Sequence, residues 1–234
     1  MIQRDDINSP SHSKGEITGG DMERLESFGS TLILGGGQGK RIGFDKKNIE
    51  VGGTKLIDVH IEKLKMVFTQ ILVSSNTEFV RKNVTTLPDS IGAGPLAGIY
   101  EGLIHCKSNY LFIIACDMPF LSLKYIEFLK AQITNALQAK YKIMSNLQLQ
   151  PKIDVIVMER EDGFLEPFNA FYHKSCAGQI KSALESGNYK VAPVLKKLEK
   201  IIVPHNIATD FSDQPDLFFN INYLEDLQAI PTHN

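Results

Sequence analysis

The 234-residue chain lacks several features that would narrow its class, and each absence removes a group of functions. It has only three cysteines, Cys106, Cys116 and Cys176, an odd and widely spaced set with no CxxC pair. Such a set reads as free thiols in a reducing compartment, and it argues against a disulfide framework or a thiolate zinc site. The six histidines are scattered without an HExxH pair, so a histidine metal centre is not expected. Charge of one sign is also missing: 25 Lys and Arg stand against 27 Asp and Glu, a formal charge of −2. A surface built to embrace nucleic acid or anionic lipid does not fit that balance, so any anion site must be local. No long apolar run exists. The most apolar stretch, Leu111 to Cys116, is far shorter than the roughly 20 residues that cross a bilayer, and the first twenty residues hold no apolar core of the signal-peptide kind. The expectation is a cytoplasmic protein with no membrane and no nucleic-acid partner.

What is present is ordinary for a folded domain, with 43% hydrophobic and 22% charged residues. Residues 1–28 are rich in Ser, Gly, Asp and Glu without periodicity and read as a polar, disordered arm ahead of one domain, 29–234. That domain alternates β-rich runs with amphipathic patterns, which predicts an α/β fold: a mostly parallel central sheet of about seven strands with helices on both faces. Strands are expected at Ser30–Leu34, Gln70–Ser74, Tyr110–Ala115, Asp154–Met158, Phe168–Tyr172 and Ile201–Val203. Helices are expected at Leu56–Phe68, Leu96–Cys106, from Ser122 as an N-cap, at Ser175–Leu184 and Ala192–Leu198, and last at Leu224–Ala229. The stretch from Asn83 to Asp89 reads as loose chain, and Lys140 to Lys152 as a surface connection.

The chemistry concentrates in LGGGQGKRIGFDKKNIEVGG, which starts at Leu34. A glycine-rich turn directly after the first strand lies at the carboxyl edge of the sheet, where bare backbone N–H groups can approach phosphate oxygens. Lys40, Arg41, Lys46 and Lys47 place four positive charges beside it, the local anion site that the overall charge demands. Two common loops fail on spacing. GxGxxG finds no glycine where it needs its third, and a Walker loop needs Ser or Thr after Gly39 and Lys40 but meets Arg41. Dinucleotide-dependent hydride transfer and P-loop hydrolysis are both disfavoured.

LGGGQGKRIGFDK resembles the LAGGxxxRMGxDK signature of the molybdenum cofactor guanylyltransferase family, a branch of the nucleotidyltransferases with a three-layer Rossmann-like sheet. Further matches follow in order: GPLAG at Gly94 to Gly98, CDMP at Cys116 to Pro119, LEPFNAFY at Leu165 to Tyr172 and FNIN at Phe219 to Asn222. The resemblance runs from about residue 29 onward. It implies transfer of GMP from GTP to the terminal phosphate of molybdopterin, or of its molybdenum-loaded form, with Mg²⁺ as cofactor and pyrophosphate as the second product. It also brings in molybdenum insertion proteins and apo-molybdoenzymes as partners.

By the same resemblance, Arg41, Lys46 and Asp117 are the catalytic set, with Asp117 the metal ligand. Leu34, Gly35, Gly36, Gly37, Lys46, Ser74, Asp89, Gly94, Pro95 and Asp117 hold GTP, and Asn220 and Asn222 lie on the acceptor side. Competing roles stay open: a turn or cap for Asp117 and Asp89, and helix capping for Asn222. Ser74 stands where the family can carry asparagine, with Asn76 two residues later, and Glu166 precedes an acceptor-side strand without an assigned role. A phosphate acceptor, with a second pKa near 6, is already largely dianionic at neutral pH and needs no general base, in keeping with the lack of a candidate histidine. Two rivals remain: a cytidylyltransferase acting on the same pterin, and a non-catalytic cofactor carrier with the same fold.

Overall fold

Strand β1 (Ser30–Leu34) is buried along its whole length without alternation, as a strand covered on both faces requires. Its two neighbours behave alike: β4 (Gln70–Ser74) and β6 (Tyr110–Ala115) are buried at all positions except Gln70. The structure, a computed structural model, describes residues 27–35, 45–144, 152–211 and 216–230. With β5 (Val84–Leu87), β7 (Val155–Glu159), β8 (Leu165–His173) and β9 (Lys200–Pro204), these strands form a seven-stranded sheet of order β5-β4-β1-β6-β8-β7-β9. Every adjacent pair is parallel except the two that involve β8. The sheet therefore gathers the carboxyl ends of six strands, and the start of β8, along one edge.

Alternate residues of each strand feed opposite faces. Ile33, Phe112 and Ile114 meet Ile57 and Ile61 of α1 (Leu56–Leu64) and Ile126, Leu129 and Ile133 of α3 (Leu123–Met144). Leu32, Leu34, Leu111 and Ile113 meet Leu96, Ile99 and Leu103 of α2 (Pro95–His105), Ile180 and Leu184 of α4 (Cys176–Glu185), and Val194 of α5 (Val191–Leu195). Helix α2 sits unusually close to the sheet: a Cβ at Gly98 would lie 2.5 Å from Ser74 Oγ and 2.7 Å from Leu34 Cδ2. No helix among the described residues is long and apolar enough to cross a membrane.

Several expectations shift. The segment at Val84–Leu87 is an edge strand, paired only with β4, and its uneven exposure hid it from a reading based on apolar content. A two-stranded ribbon, β2 (Glu50–Val51) with β3 (Thr54–Lys55), turns at Gly52 and Gly53, whose φ values of 59° and 79° need glycine. A short α6 (His205–Thr209) follows β9. Helix α1 ends at Leu64, and the Phe68 N–H still bonds to the Leu64 carbonyl at 2.9 Å. Helix α3 runs on to Met144, past the expected break at Lys140, and Ser122 Oγ accepts from the Tyr125 N–H at 3.2 Å as its predicted cap. The final Leu224–Ala229 element is a 3₁₀ helix. Phe28, at the end of the expected arm, is buried and stacks on Tyr110 at 5.3 Å. All three cysteines are free thiols.

One core position carries a pH dependence. His60 of α1 is fully buried, and among the described residues neither ring nitrogen has a partner at good hydrogen-bond geometry, the Met118 backbone being the polar group beside it. Burial first, then the Lys63 charge, lowers its pKa to about 4, with only the Met118 backbone opposing. Above pH 6.5 the group is neutral both folded and unfolded. As pH falls from 6.5 towards 4 the unfolded chain binds a proton that the folded chain refuses, so stability is lost over that window. The expected loss is about 2–3 kcal/mol between pH 7 and pH 4.5. Urea unfolding of wild type and His60→Leu at both pH values should show a correspondingly smaller loss in the variant; equal losses would sink the assignment.

Candidate functional site

At the edge where β1, β4 and β6 end, the backbone is drawn tight. The Gly35 N–H donates to the Ser74 carbonyl at 3.0 Å, and a Cβ at Gly35 would stand 3.0 Å from that oxygen and 3.2 Å from the Lys47 side chain. Leu34 beside it is buried. The described chain resumes at Asp45, whose side chain accepts from the Lys47 N–H at 3.1 Å and starts a 3₁₀ turn, Lys46–Asn48. At three residues per turn, neighbouring side chains diverge by about 120°, so the two lysines separate. Lys46 Nζ pairs with Asp117 Oδ2. Lys47 turns inward and is 7% exposed; its ammonium donates to Ser75 Oγ at 2.5 Å and to Thr77 Oγ1, with Asp45 at 3.4 Å.

Asp117 follows β6 and is 4% exposed. Its carbonyl accepts from the Ile221 N–H at 2.9 Å, while its Oδ1 has no hydrogen-bond partner among the described residues. Among those residues no group of three or more His, Cys, Asp or Glu side chains could hold a metal ion. A single carboxylate with an open oxygen instead fits Mg²⁺, which takes one or two carboxylates and fills its remaining positions with phosphate oxygens and water.

A second group assembles at the end of β4. Ser74 Oγ donates to Asp89 Oδ1 at 3.3 Å, Asn76 Nδ2 donates to Asp89 Oδ2 at 2.9 Å, and the Asp89 N–H returns a bond to Asn76 Oδ1 at 2.8 Å. The buried Glu101 of α2 fixes the following residue by accepting from the Ser90 N–H at 3.1 Å and from its hydroxyl. Ser74 is buried and faces Gly98, so the polar group that reaches the surface here is Asn76. Gly94, at φ 79°, precedes α2 and Pro95 opens it. Gly98, one turn into α2, is the packing contact that lets the helix lie against β1 and β4.

Asn220 and Asn222, expected on the acceptor side, lie on the segment from Asp216 to Asn222. Asn169, at φ 52°, donates through Nδ2 to the Leu217 carbonyl at 3.1 Å, so this segment is bound from β8 at one end and from Asp117 at the other. Asn220 Nδ2 donates to the Phe218 carbonyl at 2.9 Å and Asn222 Nδ2 to the Asn220 carbonyl at 3.2 Å. The side chain of Asn222 does not cap the last helical turn: Asp226 accepts from the Asn222 and Tyr223 N–H groups at 2.7 and 2.8 Å. Glu166 is 3% exposed, and its Oε2 accepts from Arg160 Nε at 3.0 Å and from a terminal guanidinium nitrogen at 2.7 Å. Burial raises its pKa above the ordinary carboxylate value; Arg160 opposes the rise, while the charges of Asp216 and Asp117 add to it.

The structure thus brings Gly35, Lys46 and Asp117 to one edge, places Ser74 beside Gly98 of α2 with Asp89 bonded to it, and puts Asn220 and Asn222 on the chain that abuts Asp117. Gly36, Gly37 and Arg41 lie outside the described residues. Sequence reasoning missed the roles of Lys47, Asn76, Glu101 and Arg160. Lys47 was visible as part of a charge run, and Asn76 as the residue beyond an unexpected serine, but nothing local marked Glu101 or Arg160. If Lys47 is the strut that the geometry describes, Lys47→Met should lower the unfolding free energy by about 1–3 kcal/mol through unpaired buried partners. Lys55→Met, whose ammonium bonds among the described residues only to the exposed Asn48 at 2.9 Å, should stay within about 0.5 kcal/mol. Urea titration compares the two, and equal effects would refute the strut.

Comparison with known proteins agrees with this geometry. Residues 31–201 match the family described as the MobA-like NTP transferase domain. The chain is 35% identical over 211 residues to a "Probable molybdenum cofactor guanylyltransferase" of Peptoclostridium acidaminophilum, a match covering 89% of this chain and 90% of the relative. It is 34% identical over 204 residues to a "Molybdenum cofactor guanylyltransferase" of Syntrophotalea carbinolica, covering 86% and 90%. Among solved structures, molybdopterin-guanine dinucleotide biosynthesis protein A from Archaeoglobus fulgidus superposes with a TM-score of 0.66 at 26% identity, over 85% of this chain and 95% of that one. A seven-stranded sheet that gathers Gly35, Lys46 and Asp117 at its carboxyl edge and a family match over most of the chain lead to one conclusion: the chain belongs to the MobA-like NTP transferase family and is a nucleotidyltransferase.

Proposed function

We propose that this enzyme transfers GMP from GTP to the terminal phosphate of molybdopterin, or of its molybdenum-loaded form, and releases pyrophosphate. The observation that carries the reading is the Lys46–Asp117 pair, which sets a cation and a nearly buried carboxylate side by side just past the end of β6. In the reaction an acceptor phosphate oxygen attacks the α-phosphorus, a new P–O–P bond forms, and the bond from the α-phosphorus to the oxygen bridging to the β-phosphate breaks, with that oxygen leaving on pyrophosphate. Charge neutralisation and in-line positioning are the main demands.

In this reading the Gly35 turn, continued by Gly36 and Gly37, presents backbone to the triphosphate, and Lys46 and Arg41 offset its charge. Bound Mg²⁺ would supply further neutralisation of the phosphates, with Asp117 as its protein ligand. Ser74 and Asp89, with Gly94 and Pro95 at the start of α2, take the base and ribose side, and Asn76 contributes the amide that Ser74 lacks. Asn220 and Asn222 face the acceptor. The acceptor phosphate needs no base, because it is already largely ionised at neutral pH. The names of the relatives support guanine over cytosine.

The test is pyrophosphate release from GTP and Mg²⁺ with molybdopterin present. Wild type should release pyrophosphate and form a guanylylated pterin, and Asp117→Asn should lose about 10²-fold or more of that rate. Equal rates in the two proteins would overturn the enzyme assignment, and faster turnover with CTP would overturn the choice of base.

A further inference from the structure

The ladder between β6 and β8 runs from Tyr110 opposite His173 to Ile113 opposite Ala170 and then stops. Continued in register, it would bring Glu166 opposite Asp117. The strands part at Asn169, whose left-handed backbone turns the chain away, and the segment from Leu217 to Ile221 fills the gap. Asp117 holds one end of that segment and Asn169 the other, and Glu166 lies three residues before Asn169 on β8. Glu166 is the more unusual of the two carboxylates, because it is buried and feels the negative charges of Asp117 and Asp216.

Its partner explains the placement. Arg160 lies just past the end of β7, at the same sheet edge, and its side chain is 41% exposed. Both of its bonds to the carboxylate converge on Oε2, from Nε and one terminal nitrogen, so the other terminal nitrogen has no partner among the described residues. The hairpin holds the base of the side chain through the Arg160 N–H to the Phe164 carbonyl and the Gly163 N–H to the Arg160 carbonyl, both at 2.9 Å, and the guanidinium lies 5.7 Å from the centre of the Phe164 ring. A planar fork held on one edge and open on the other suits a phosphate, which guanidinium groups bind through paired charge-assisted hydrogen bonds. The side-chain amides of Asn220 and Asn222 donate to backbone carbonyls, so among the described residues the charged donor on this side is the Arg160 guanidinium.

We propose that Arg160 binds the acceptor's phosphate monoester and that Glu166 is the positioning residue that aims it. The proposal rests on the transfer reaction above for the identity of the acceptor, but not for the existence of the phosphate site. Two measurements separate these. With a non-hydrolysable GTP analogue and Mg²⁺ saturating, isothermal titration with inorganic phosphate should show one further binding event in wild type, weakened about tenfold or more in Arg160→Ala and less in Arg160→Lys, which keeps the charge without the fork. Steady-state kinetics with molybdopterin varied should show the acceptor KM raised by about the same factor in Arg160→Ala, and by a smaller one in Arg160→Lys and Glu166→Gln, with the KM for GTP unchanged. A wild type that binds no phosphate, a folded Arg160→Ala or Arg160→Lys with wild-type affinity, or a parallel rise in both KM values would overturn the proposal. Phosphate binding lost with Arg160, but no guanylylated product from wild type, would leave this site standing and bring down the transfer reading instead.

Discussion

A carboxylate at the end of the most buried strand must be neutralised, and the arrangement of the site follows from how that is done. Every residue of β6 is buried, and Asp117 two residues beyond it is only 4% exposed. Unpaired, a charge in such a place would cost several kcal/mol, more than most single contacts can offset. The neutralising cation comes from 71 positions earlier, on the short 3₁₀ turn that carries Lys46. For Lys46 to reach Asp117 the chain leaving the glycine-rich region must return against β4, and Lys47 is the anchor that holds it there through Ser75 and Thr77. Two adjacent lysines thus divide the labour: one meets the carboxylate and the other secures the turn.

The two halves of the edge differ in how they are built. On the side of β4, backbone approaches backbone at Gly35 and α2 presses on Ser74 through Gly98, which leaves little freedom and positions Asp89 and Asn76 rigidly. On the other side the sheet opens, because β8 runs against its neighbours and leaves β6 after Ala170. The opening is occupied by chain bearing two asparagines and edged by an arginine whose carboxylate partner is buried. Asp117 thus stands between a close-packed side and a side closed by the segment from Leu217 to Ile221.

Strands β1, β4 and β6 were legible in the sequence because double coverage enforces unbroken apolar runs, and they were read with the bounds the structure gives. Strand β5 was not, since an edge strand with one neighbour and partial exposure can be built from Val84, Thr85, Thr86 and Leu87 without an apolar signature. The ribbon of β2 and β3 is two residues on each side, below any periodicity. Motifs located Lys46, Asp89 and Asp117, but sequence states a charge and not its direction, so Lys47 was indistinguishable from a solvated lysine. Glu101 and Arg160 depend on partners that only the fold supplies, Ser90 from across a loop and Glu166 from across a hairpin.

The hydrogen bond from Ile221 to the Asp117 carbonyl joins the last described stretch of chain to the middle of the sheet. During synthesis a ribosome delivers β1, β4, α2 and β6 first, and these contain the close packing of Gly35 and Gly98 against Ser74; the segment from Leu217 to Asn222 emerges about a hundred residues after Asp117, at ordinary elongation rates several seconds later. The β4 side of the edge can therefore take shape in a nascent chain before the segment that closes over Asp117 has been made.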